Sequence, residues 1–205
     1  MFGHKLLLPV PDIDRTDYLL MIGANPLVSN GSLMTVPDVR HRLRELQARD
    51  GRLVVVDPRR TETASVADEH LFIRPGTDAL FLAALVHTLF DEALVRPGRL
   101  EPFTDGIHLV RLHVRPFSPE AVASAVGIEA ERIRAVARDF ATADAAVAYG
   151  RMGVSVQEFG GLCQWLINLL NIVTGNLDRP GGAMFTRPAV DLVASTGRGR
   201  LGRRR

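Results

Sequence analysis

A chain of 205 residues, 46% hydrophobic and 23% charged, is large enough to bury one sizeable core, and no stretch of it approaches the ~18 apolar residues of a membrane span. Its single cysteine, Cys163, excludes an internal disulfide framework and an iron–sulfur cluster held by this chain's own thiolates; with no secretory leader expected, a cytoplasmic setting follows as the expectation. Of the +2 net charge, five arginines lie without an acid in residues 198–205, which leaves −3 for residues 1–197 and disfavours a nucleic-acid partner.

Strand and helix signals alternate along the chain. Residues 18–22 (YLLMI) form an apolar run stopped by Gly23-Ala24-Asn25-Pro26, as a buried strand before a turn. Thr35 offers an N-cap, with Pro37 near the first helical position and Asp38 suited to the helix dipole; Val36, Val39, Leu43 and Leu46 then recur at helical spacing up to Asp50-Gly51. The β-branched run 53–56 follows directly and halts at Asp57-Pro58, which completes a βαβ unit and predicts a parallel sheet. A short strand is predicted at 71–73 and a helix from a Thr77 cap to about Leu94. Residues 107–115 alternate Val110, Leu112 and Val114 with Arg111, His113 and Arg115, as a strand would. Ser118-Pro119-Glu120 opens a helix that stops at Gly127. Ile133, Val136, Ala137 and Phe140 mark the next, 145–149 reads as a fourth strand, and Leu162, Trp165, Leu166, Leu169 and Ile172 predict a well-buried final helix. The predicted fold is α/β: a doubly wound, mostly parallel sheet with helices on both faces, Rossmann-like and three-layered, over residues 1–196, with 197–205 a basic tail expected to be disordered.

In such sheets ligands bind beyond the carboxyl ends of the strands. Four loops lie there: 23–31, 57–63, 74–78 and 150–153. An acid ending the second strand, Asp57, is placed either to accept ribose hydroxyls or to begin a turn before Pro58; Arg59 and Arg60 either meet a phosphate or are solvated. Asp78, in the first turn of a helix, either complements the dipole or accepts two N–H donors from a guanine edge. Asn25 bonds a ligand or its own turn. There is no G-x-G-x-x-G, no G-x-x-x-x-G-K-[ST], no zinc-spaced histidine pair and no G-x-S-x-G elbow, so a nicotinamide dinucleotide enzyme is disfavoured. Cys163, amid apolar residues, reads as a buried small side chain rather than a nucleophile. Binding loops are present; a catalytic residue and a metal ligand are not among the candidates.

These loops, in this order, resemble the molybdopterin-dependent oxidoreductases of the formate dehydrogenase, nitrate reductase and dimethyl sulfoxide reductase type. The matching text is I-G-A-N-P at 22–26, V-V-V-D-P-R-R-T-E-T-A at 54–64, A-D-E-H at 67–70, R-P-G-T-D-A-L at 74–80, G-R-M-G at 150–153 and L-N-I-V-T-G-N-L-D-R-P-G-G at 170–182. The resemblance implies one nucleotide-binding-like domain of a larger enzyme, holding one guanine dinucleotide half of a bis(molybdopterin guanine dinucleotide) cofactor with molybdenum or tungsten. It implies that Gly23, Ala24 and Asn25 lie against the pyrophosphate and pterin end. Asp57 would take the ribose, with Pro58 in the same turn and Arg59, Arg60 and Thr61 near ribose and phosphates. Gly76, Thr77 and Asp78 would enclose the guanine, with Asp78 reading its exocyclic amine and ring N–H. Met152 and Gly153 would approach the pterin or the metal's ligand sphere. Many relatives carry Gln four residues after this Met; here that place is Val156, and Gln157, which follows, is counted among the cofactor-binding residues in that role.

The family's cluster-binding cysteines, its protein ligand to the metal and its cofactor-capping domain have no counterpart in the sequence. The expectation is therefore a fragment that alone turns over no substrate and holds the full cofactor weakly or not at all. Its partners would be the remaining domains of the parent oxidoreductase, and self-association through exposed apolar surface is expected. The alternative is a non-catalytic nucleotide-binding or assembly domain derived from the same fold.

Overall fold

The computed structural model describes residues 1–2, 7–31, 33–186, 189–191 and 193. The tail expected at 197–205 lies outside the described residues.

In chain order the elements are β1 (Pro9–Pro11), β2 (Tyr18–Ile22), α1 (Pro26–Ser29), α2 (Val39–Ala48), β3 (Arg52–Val56), β4 (Glu69–Leu71), α3 (Asp78–Asp91), α4 (Ile107–Val114), α5 (Pro119–Val126), α6 (Ala130–Thr142), β5 (Ala146–Gly150), α7 (Met152–Ser155), α8 (Gly160–Val173) and β6 (Ala183–Phe185), with 3-10 turns at Ala64–Val66 and Gly98–Phe103. The main sheet has the order β4-β3-β2-β5 and every pairing in it is parallel. All five residues of β2 and of β5 are buried, as expected of strands covered on both faces.

Alternation along the strands divides the core in two. Leu20, Ile22, Val54, Val56 and Ala148 face α3, α5, α6 and α8. Leu19, Met21, Leu53, Val55 and Val147 face α2 and the antiparallel ribbon of β1 and β6. This is the doubly wound, three-layer α/β architecture expected from the sequence. Arg134, bonded to Glu120, Asp91 and Glu92, and Arg138, bonded to Glu92 and Glu131, cross-link α3, α5 and α6 away from the strand ends.

Several local expectations are corrected. Residues 107–115 are helical: α4 starts after Gly106 at φ +78°, and its inward residues Ile107, Val110 and Val114 fall at i, i+3 and i+7, a spacing the alternating run also satisfies. The cap of α2 is Asp38, whose side chain accepts from the His41 N–H, whereas Thr35 sits in the left-handed region at φ +55° and donates its hydroxyl to the Met34 carbonyl. The strand expected at 71–73 is β4, which runs over Glu69–Leu71, and α3 ends at Asp91. On α8, Leu162 and Trp165 are 48% and 39% exposed; they stand on the side of the helix away from the sheet.

The outer edge of β5 is closed by a side chain. Asn171, 1% exposed on α8, donates from Nδ2 to the Ala148 carbonyl at 3.0 Å and accepts the Ala148 N–H on Oδ1 at 2.9 Å. Asn176 accepts the Ala146 N–H at 3.3 Å. The Asn171→Leu substitution leaves a buried donor and acceptor unpaired at ~1–3 kcal/mol each. Thermal unfolding followed by circular dichroism should show a melting temperature lower by about 6–12 °C; an unchanged value would mean that the edge is closed by other means.

Candidate functional site at the carboxyl edge of the sheet

Register brings the strand ends into line. Ile22 is opposite Val56 and Gly150, and Val56 is opposite Leu71, so the loops after β2, β3, β4 and β5 leave from one row. The chain passes from β2 to β3 and β4 on one side and returns to β5 on the other, which makes the gap between β2 and β5 the switch point.

At that point two backbones touch. Gly23 turns at φ +56°, and the Gly153 N–H donates to its carbonyl at 3.0 Å. A Cβ on Gly23 would stand 2.6 Å from the Val154 nitrogen, and one on Gly153 2.8 Å from the Gly23 Cα. Only two glycines permit this approach, and the surface they present is peptide rather than side chain. Ala24 is buried, so it too offers backbone alone, whereas Met152 is 58% exposed at the rim.

Asn25 joins neighbouring loops. Its Nδ2 donates to Glu62 Oε2 at 2.8 Å, and its Oδ1 accepts from the Thr63 N–H at 3.2 Å and hydroxyl at 2.8 Å. Its backbone carbonyl accepts from the Val28 and Ser29 N–H within its own turn, while its side chain ties that turn to the loop after β3. The Asn25 bond and the Arg59 guanidinium hold the Glu62 carboxyl below the usual range, the bond contributing more.

The loop after β3 is a tight turn. Asp57 accepts the Arg59 N–H on Oδ1 at 2.8 Å, and Nε2 of His70 donates to the Asp57 carbonyl at 2.9 Å. Pro58, Arg59 and Arg60 are exposed. Thr61 is turned inward, 3% exposed, and accepts the Ala64 N–H at 3.0 Å, so its side chain shapes the turn. His70 stands in the A-D-E-H stretch, where sequence pattern alone gives the histidine no role. Its Nδ1 is buried without a hydrogen-bond partner, and its ring lies 4.1 Å from that of Phe72.

Asp78 is the most unusual group in the cradle. It is 3% exposed at the start of α3, and its Oδ2 is buried with no hydrogen-bond partner. Burial pushes the carboxyl above the ordinary aspartate range. The Gln157 amide and the Asp78 backbone N–H oppose that rise, and the Asp57 charge adds to it. Thr77 donates its hydroxyl to the Arg74 carbonyl at 2.7 Å, and Gly76 is exposed at φ +83°. Gln157, half-buried, donates from Nε2 to the Gly153 carbonyl at 2.7 Å. It is therefore directed at the base of the cradle, while Val156 in the preceding position is 69% exposed.

Beside Gly76 opens a groove of about 940 Å³ between α3, α4 and α8, lined chiefly by apolar side chains such as Leu80, Leu109, Phe117, Phe159, Leu162 and Trp165. Cys163 is buried, and desolvation pushes its thiol up to about 11, which leaves it protonated and inert at neutral pH. Among the described residues no group of three or more His, Cys, Asp or Glu is placed to hold a metal ion, and no helix is long and apolar enough to cross a membrane.

Comparison with known proteins shows which family the chain resembles. Residues 3–201 match the family model described as molybdopterin oxidoreductase. The chain is 30% identical to formate dehydrogenase H of Escherichia coli over 171 residues, covering 83% of this chain and 23% of that protein. It is 33% identical to the thiosulfate reductase molybdopterin-containing subunit PhsA of Salmonella typhimurium over 205 residues, covering 96% of this chain and 26% of that one. Among solved structures, acetylene hydratase from Pelobacter acetylenicus superposes with a TM-score of 0.76 at 25% identity, over 91% of this chain and 25% of the other. The chain spans about a quarter of the length of the curated relatives it matches.

Proposed function

The chain belongs to the molybdopterin oxidoreductase family, and from that premise we propose that its strand-end cradle binds a guanine dinucleotide half of a molybdopterin cofactor. The observation that carries the proposal is Asp78: a buried carboxylate with an unpartnered oxygen, at the mouth of a loop and within electrostatic reach of Asp57. A buried acceptor without a donor is costly unless a ligand supplies one. Guanine presents two adjacent N–H donors on one edge, which suit a carboxylate. The residues present therefore fit the group.

In this proposal Asp78 reads the base and Gly76 and Thr77 flank it. Asp57 accepts the ribose hydroxyls, and Arg59 and Arg60 meet the phosphates as exposed cations. The peptide surface of Gly23, Ala24 and Gly153 lies along the pyrophosphate and pterin end, with Met152 at the rim. Asn25 and Thr61 act through the loops they tie. When bound, the molybdenum or tungsten of the cofactor supplies two-electron redox chemistry, and the chain's own residues hold and orient it. The parent reaction is of the formate dehydrogenase type. The other cofactor half and the protein ligand to the metal come from outside the described residues, and the apolar groove beside Gly76 packs against those further parts. In this proposal residues 1–205 alone turn over no substrate.

Calorimetric titration of the chain with GDP and ADP over a range of pH tests this. GDP is expected to bind at least tenfold more tightly than ADP, whose base lacks the paired donors. Only ionised Asp78 accepts both donors, and its pKa lies above the ordinary value of ~4. GDP affinity should accordingly be full above that raised pKa and be lost as pH falls through it, whereas ADP affinity should not follow this titration. The Asp57→Ala variant should weaken both nucleotides by a similar factor, ~3–10-fold for a lost hydrogen-bonded diol. Equal affinity for the two nucleotides across pH would reject the assignment.

A further inference from the structure

We propose that Gln157 is a latch on the base pocket, a positioning residue whose side-chain amide occupies the place of the base edge until a nucleotide displaces it. The inference rests on the reading of Asp78 as the base-recognising carboxylate.

Gln157 lies between the two loops that flank the pocket, bonded to one and close to the other. Its Nε2 donates to the Gly153 carbonyl at 2.7 Å, on the loop that follows β5. Apart from Gly76 and its two chain neighbours, its Oε1 is the one described atom within 4 Å of the point where a Cβ on Gly76 would stand, at 3.9 Å, on the loop between β4 and α3. The same amide also lies near enough to Asp78 to oppose the rise of its pKa. A primary amide and the lactam edge of guanine share the unit O=C–N–H, so a place that suits one suits the other. The fit is incomplete, because the amide is drawn to the Gly153 carbonyl and Asp78 Oδ2 keeps no partner.

The surroundings let the side chain move. Gln157 follows the four-residue helix α7, and the neighbouring Val156 and Phe159 are 69% and 52% exposed, so a rotamer change there disturbs no core packing. Displacement would also free the Gly153 carbonyl. Occupation of the base pocket is thereby linked to the loop at the opposite, pterin-facing end of the cradle. A ligand must break the Gln157–Gly153 bond before Asp78 is fully engaged, which lowers its apparent affinity.

Removing a latch should tighten binding. The Gln157→Ala chain is expected to bind GDP about fivefold more tightly than the unaltered chain, the worth of one neutral hydrogen bond. Its melting temperature should fall by no more than about 2–4 °C, the same bond being lost from the free chain. The pH midpoint of GDP binding should move upward, because the amide no longer stabilises the Asp78 carboxylate. Gln157→Met, which keeps the length of the side chain but cannot donate to the Gly153 carbonyl, should shift affinity in the same direction and serves if the alanine variant is poorly folded. A residue that contacts bound nucleotide, or that merely props the loops, would give weaker GDP binding on substitution, and that result overturns the latch. If the unaltered chain prefers GDP to ADP but Gln157→Ala binds it no more tightly, the latch falls and the base-reading role of Asp78 stands. If neither chain prefers GDP, both fall together.

Discussion

Asp78→Asn is expected to lower the affinity of the chain for GDP by ~10–150-fold, the worth of a hydrogen bond to a charged acceptor, and to abolish its preference over ADP. The carboxamide keeps the size of the carboxyl but turns one acceptor into a donor, which would face the donors of the base. Stability should move little or improve. The carboxyl is 3% exposed and its ionised form is disfavoured by burial, so a neutral side chain relieves desolvation at the expense of a first-turn dipole interaction of under ~1 kcal/mol. Parallel calorimetry and thermal melts separate the two effects. Loss of GDP and ADP binding by the same factor, or loss accompanied by a collapsed melting temperature, would show that Asp78 supports the fold and does not read a base.

Gly23→Val is expected to cost ~3–5 kcal/mol of stability, seen as a melting temperature lower by about 10 °C, and to remove nucleotide binding even where the chain remains folded. Two independent penalties meet at this residue. Its φ of +56° is disfavoured for a β-branched side chain, and its Cβ would overlap the Val154 nitrogen at 2.6 Å. The obstacle is backbone and cannot swing aside, so relief requires the strand ends of β2 and β5 to part. That movement separates the loops that the cradle needs together. A melting temperature within about 2 °C of the unaltered chain, with GDP still bound, would mean that the switch point is more compliant than its geometry implies.

What the sequence made legible were features whose cause is local. The run 18–22 and the β-branched 53–56 announce buried strands, and the Ser118–Gly127 signals bracket α5, because each residue's preference agrees with its environment. Asp57 and Asp78 stood out because a strand end and a helix start are marked in the sequence itself. The features not anticipated are those set by distant partners. Local strand propensity does not announce the ribbon of β1 and β6, where three-residue strands pair Pro9 with Phe185 across most of the chain. Residues 107–115 satisfy both periods, and packing of Val114 decides for the helix. The aim of Gln157, the cross-loop bonds of Asn25 and the role of His70 behind Asp57 all depend on how separate loops converge.

A sheet that stops at four strands leaves an unsatisfied rim, and on the β5 side that rim is copied by the amide of Asn171, one planar N–H and C=O set against another. The molecule thereby denies a foothold to any stray extended segment that would lengthen the sheet, as fibrils grow by recruiting such segments. It also clamps β5 from the side opposite β2, which fixes the launch direction of the chain toward Met152. The protection of the edge and the aim of the cradle are in this way served by the same buried carboxamide.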